Sequence, residues 1–209
     1  MTTLLILIYS VTLIYSTITE RFRTYAGIVG LQGFILFMIS VVELEKISSL
    51  NLIFIISETI LFKTLIVPIL LFRIIQRTQY PRVHQHALPG YFAVLLESGL
   101  LLISYLIAHT IGSASVDSLY LTISLFAIFT GLLLIISHKK VFSHLVGFLV
   151  LENAVFLFSI AIGNEMPMLI NTGILLDIFI TVLILGAFAT RMGRVTENSE
   201  TDDLAQLKD

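Results

Sequence analysis

Seven stretches of this chain, each about twenty residues long, are almost pure hydrocarbon, and that is the length at which a helix crosses a bilayer. They run over Thr3–Thr19, Thr24–Val42, Leu50–Phe72, Pro89–His109, Ser118–Ile136, His144–Gly163 and Met168–Thr190. No water-soluble core could take in so much Leu, Ile, Phe and Val. The chain is 57% hydrophobic and 12% charged, with a mean hydropathy of +1.00, against about 25% charged in an ordinary soluble domain. The runs are continuous rather than alternating, which argues against a β-barrel. The expectation is an all-α integral membrane protein with seven transmembrane helices. Met1–Thr19 lacks a basic leader and a small-residue cleavage site, so it reads as the first span rather than a signal peptide.

The charges outside the spans orient the bundle. Links after the first, third, fifth and seventh spans carry Arg21, Arg23, Arg73, Arg77, Arg82, Lys139, Lys140, Arg191 and Arg194, and the tail adds Lys208. The opposite links carry Lys46 alone, beside Glu43, Glu45, Asp117 and Glu165. Basic residues collect on the cytoplasmic side, which places the N-terminus outside and the C-terminus in the cytoplasm of a cell membrane. Residues 191–209 form a polar, acidic cytoplasmic tail. The halves also align: Gly27-Ile-Val-Gly-Leu-Gln32-Gly-Phe against Gly147-Phe-Leu-Val-Leu-Glu152-Asn-Ala, and Glu58 against Asp177. Residues 1–110 then hold the first four spans and 111–190 a three-helix unit. One spacer helix leaves the copies in the same orientation, a 3+1+3 parallel repeat. Apolar helices align easily, and hydropathy alone would give such a match.

Five ionisable residues interrupt the hydrocarbon: Glu58, Lys63, Glu97, Glu152 and Asp177. A charge at the bilayer centre costs about 2.5–3.5 kcal/mol on insertion scales, so such residues mark partners, water or an ion path. The four carboxyls lie about 12–14 Å from a helix end, close to mid-membrane. Four acids at one depth can form a lateral row along which protons move. Desolvation favours a neutral carboxyl and a nearby cation favours the charged one, so a site between these influences can load and release a proton. Lys63 is the obvious cation. It is not aligned with Glu58, because a five-residue step turns about 140° round a helix. Its partner is expected on another helix or another chain. Pro68 should kink the third helix. Asn153 and Thr181 give polar support beside Glu152 and Asp177, and Gln32 stands where the first copy lacks an acid.

The plainer reading is that any of these residues glues helices together as a structural ion pair. It weighs most for Glu97, where a subunit-interface role is as reasonable as a proton role. His109 and His144 sit at helix ends. His84 and His86 lack a third ligand, so no metal site is expected. The absence of Cys argues against Fe–S clusters on this chain.

The stretches Val146–Asn153 and Gly173–Phe179, with Phe62–Pro68 and Asp203–Lys208, resemble the hydrogenase-4 component E family, membrane subunits of formate hydrogenlyase-type and related group 4 [NiFe] hydrogenase complexes. The last three spans are also similar to the K subunit of complex I and the C subunit of Mrp-type antiporters. The resemblance implies proton-path roles for Glu152, Asp177 and Lys63; Glu58 and Glu97 rest on burial alone. Asp177 stands where the relatives have the longer Glu. The resemblance implies a non-catalytic subunit between antiporter-like and quinone-site-like membrane subunits, with a soluble hydrogenase-like arm and lipid as further contacts. The [NiFe] centre and Fe–S clusters would sit on partner chains. The alternatives are a subunit of a Mrp-type cation/proton antiporter and a scaffold with no ion role.

Overall fold

The computed structural model describes residues 2–19, 21–43, 58–78, 90–111, 116–138 and 141–162. Within them the chain forms α1 (Thr2–Ile18), α2 (Phe22–Glu43), a π-helical stretch (Glu58–Ile66) running straight into α3 (Val67–Thr78), α4 (Gly90–Ile111), α5 (Ser118–Ser137) and α6 (Val141–Ile162). Four helical segments among the described residues are long and apolar enough to cross a membrane: Phe22–Val42, Gly90–Ile111, Ser118–Ser137 and Phe142–Ile162. Helix α1 is apolar but shorter, at 17 residues. The seventh expected span, with Asp177 and Thr181, and the tail lie outside the described residues, as do His84 and His86.

Short connections set the directions. Only residues 19–21 separate α1 from α2, and 138–140 separate α5 from α6, so each pair is an antiparallel hairpin. The amide of Asp117, just before α5, donates to the carbonyl of Ala161 near the end of α6 (3.2 Å), closing the second hairpin. Phe22 opens α2 and Phe142 lies at the start of α6, and their rings meet edge to face at 4.5 Å. Helices α2 and α6 therefore run in the same direction, and they pack side by side. Helix α1 packs on α5, and α4 lies at the edge against α5 and α1.

Apart from α3, whose Val67, Leu71 and Ile75 form a buried stripe, these helices are apolar all round, so small and polar residues mark their inward faces. Gly147, Ala154 and Ala161 recur every seven residues on α6, the spacing of a seam between left-handed supercoiled helices. Gly131 and Gly147 meet where α5 and α6 cross. A Cβ on Gly131 would lie 2.9 Å from the Gly147 carbonyl oxygen, and one on Gly147 would lie 2.9 Å from that of Gly131. The aligned Gly27 has nothing within 4 Å of its Cβ position, so the halves pack differently here. Outward faces carry Leu4, Leu7 and Val11 on α1 and Tyr91, Leu95, Leu102 and Leu106 on α4, surfaces suited to lipid.

Ahead of Pro68 the helical winding changes. A proline ring collides with the carbonyl four residues earlier and supplies no N–H. Here the chain is wound more widely over Glu58–Ile66 and returns to α geometry at Val67. Wider turns relieve that collision. Helix α3 also continues beyond the expected end of the span at Phe72, through Arg73 to Thr78, because hydropathy marks the edge of the apolar run and not the end of helical hydrogen bonding.

At the start of α5, Asp117 Oδ1 accepts from the amides of Leu119 (2.9 Å) and Tyr120 (3.3 Å), a side-chain cap on the first turn. Asp117→Ala is expected to destabilise by about 1 kcal/mol and to speed amide exchange at Leu119 and Tyr120 selectively. Unchanged exchange at both amides would show that the cap contributes nothing.

Candidate functional site

The site begins with two glycines on α2. A Cβ on Gly33 would stand 2.9 Å from both the carbonyl carbon and the oxygen of Lys63, and one on Gly30 would stand 2.9 Å from Pro68 Cγ. Without side chains at these positions, the π-helical backbone lies directly on α2. Its Lys63 side chain then reaches α6, where Nζ is 2.7 Å from Glu152 Oε1. The ammonium also lies 4.5 Å from the ring centroid of Phe156, one turn beyond Glu152. The side chains of Lys63 and Glu152 are 7% and 10% exposed, so the ion pair is essentially internal.

Beside the pair runs a neutral line of polar groups. Asn153 Nδ2 lies 3.5 Å from Gln32 Oε1, Gln32 Nε2 donates to Thr12 Oγ1 (3.2 Å), and the Thr12 hydroxyl donates to the Tyr9 carbonyl (2.6 Å). Its polarity is fixed. Thr12 spends its single hydrogen on Tyr9, so it must accept from Gln32, which leaves the Gln32 oxygen facing Asn153. Amide groups do not take up and pass on protons, so this line orients the helices rather than conducting. Close to this line the Tyr9 hydroxyl is buried with no hydrogen-bond partner among the described residues.

Glu97 stands apart from this cluster. It is 1% exposed on α4, and its Oε2 lies 2.9 Å from Thr130 Oγ1 on α5. Glu58 opens the π-helical stretch, and Asp177 and Thr181 fall outside the described residues. Of the expected site residues, Lys63, Glu152, Asn153 and Gln32 are therefore brought together, and Glu97 forms a second place. Among the described residues, no group of three or more His, Cys, Asp or Glu is arranged to hold a metal.

Tyr9, Thr12, Thr130, Phe156 and His138 are additions that the sequence does not single out. His138, buried at the end of α5, contacts the Leu134 carbonyl through Nδ1 (3.0 Å) and the Tyr25 hydroxyl through Nε2 (3.4 Å). Thr12 and Thr130 could not be told from Ser10, Ser16 or Ser40, which bond back to their own helices. Comparison with protein-family models, with curated proteins and with solved structures finds no match to this chain.

Proposed function

We propose that this chain is a seven-span membrane subunit of a complex I-like, redox-driven respiratory or hydrogenase complex, of the hydrogenase-4 component E kind, and that Lys63 and Glu152 carry protons within it. The observation behind this reading is the 2.7 Å ion pair inside an apolar bundle, its two charges supplied by different helices. At that separation the ammonium can hand its proton to the carboxylate along one hydrogen bond. Both groups are then neutral, and a further proton can be loaded. Phe156 favours the charged lysine, and the buried Tyr9 hydroxyl, without a partner among the described residues, is open to a water. Asp177 and Glu58 would be further proton-carrying groups of the same path. Antiporter-like and quinone-site-like subunits would continue it, with the metal centres on a soluble arm. The N-terminus would face outward and the tail the cytoplasm.

The test is Glu152→Gln in the assembled complex, with electron-driven proton uptake measured in sealed vesicles. Uptake should fall by about a hundredfold or more, the scale of removing a group that transfers a proton, while subunit composition is unchanged. Full uptake with intact assembly would leave the pair as a clamp between helices and favour the scaffold reading.

A further inference from the structure

A second buried acid is held quite differently, and hydrogen counting shows how. Thr130 Oγ1 lies 2.9 Å from Glu97 Oε2 and also 2.9 Å from the carbonyl oxygen of Phe126. A hydroxyl has one hydrogen and two lone pairs, so it cannot donate to both oxygens. If Glu97 is a carboxylate, one of the two contacts sets lone pair against lone pair. If Oε2 carries a proton, Glu97 donates to Thr130, Thr130 donates to Phe126, and both contacts are hydrogen bonds.

The remaining oxygen agrees with this. Oε1 is buried with no hydrogen-bond partner among the described residues. An unpartnered carbonyl oxygen is far less costly than an unpartnered half of an ion. Among the described residues no cation is paired with Glu97 either. The helices packed on α4 among the described residues are α1 and α5, and neither contains a Lys, Arg, His, Asp or Glu; their titratable groups are the tyrosines Tyr9, Tyr15 and Tyr120. On α4 itself the other titratable groups are His109, which is exposed and about 18 Å along the axis, and the exposed tyrosines Tyr91 and Tyr105.

We propose that Glu97 is a proton-binding site, a neutral carboxylic acid at the seam of α4 and α5, separate from the Lys63–Glu152 pair. The proton takes the place that Lys63 fills for Glu152. Loaded, the site is uncharged and at ease in its apolar seam. Emptied, it leaves a negative charge near mid-membrane that, among the described residues, only the Thr130 hydroxyl answers. The proposal does not depend on the role assigned to Lys63 and Glu152.

The test is infrared difference spectroscopy on the full-length protein in lipid. A carboxylic acid carbonyl band is expected in the native protein, retained in Glu152→Gln and absent from Glu97→Gln. In Thr130→Val, which keeps the carboxyl, the band should move to the position of a free acid. An acid band that survives Glu97→Gln, or a carboxylate band lost in its place, would overturn the proposal. Should Glu97→Gln fail to fold, Thr130→Val decides alone: a shifted band supports the proposal and an unshifted or absent one overturns it.

Discussion

Lys63→Met should lower the stability of the purified protein by about 3–5 kcal/mol, the usual cost of removing one partner from a buried ion pair. The loss is not the strength of one bond. It arises because Glu152 stays where it is, among α2, α6 and the π-helical stretch, with no other cation among the described residues to meet it. The double variant Lys63→Met, Glu152→Met should recover most of that loss, since replacing a whole buried pair by apolar groups is often neutral or stabilising. Thermal unfolding in detergent distinguishes the cases. Equal melting temperatures for the single and double variants would show that the pair is solvated and not internal. The double variant also separates structure from chemistry: a stable protein lacking both charges should still fail to move protons.

The second large effect is expected where α5 crosses α6. Gly131→Ala places a methyl group 2.7 Å from Leu151 Cγ and 2.9 Å from a main-chain oxygen. The leucine can turn aside, but the Gly147 carbonyl cannot, so the two helices must separate. Such overpacking costs about 1–3 kcal/mol, and a valine there should cost more. Gly99→Ala on the edge helix α4 makes the contrast. Nothing lies within 4 Å of its Cβ position, so the substitution should follow helix propensity alone and stabilise by about 0.5–1 kcal/mol. Melting temperatures should move in opposite directions for the same change of residue. Two shifts of the same sign would mean that the crossing is looser than its glycines suggest.

The sequence makes certain residues conspicuous without showing how they meet. Lys63, Glu97 and Glu152 stand out because each is a charge in hydrocarbon. Their partners do not follow, because helices apolar on every side carry no periodic signal of which face turns inward. The five-residue step from Glu58 to Lys63 turns about 140° only in an α-helix. In the π-helical winding of Glu58–Ile66 it is close to a full turn, so that ground for seeking the partner elsewhere fails, although the partner does lie on α6. Alignment of the halves sets Gln32 in the place of Glu152, and folding puts Gln32 beside Asn153. The two features that decide the site, Gly33 admitting the Lys63 backbone and the wide winding ahead of Pro68, come from close packing and from relief of a proline clash. Both are three-dimensional causes. Thr130 is a further case: one threonine among many, it matters only because Glu97 happens to face it.

The ion pair also has a history within each molecule. Lys63 and Glu152 are separated by roughly ninety residues of chain. At roughly 5–20 residues per second of synthesis, the lysine is made on the order of ten seconds before its partner exists. During that interval the ammonium must be carried by its own long stem toward the headgroups, or be sheltered by the insertion machinery. Arrival of α6 then draws it inward. Final seating of the first helices is thus a late event, timed by the emergence of a glutamate from the ribosome.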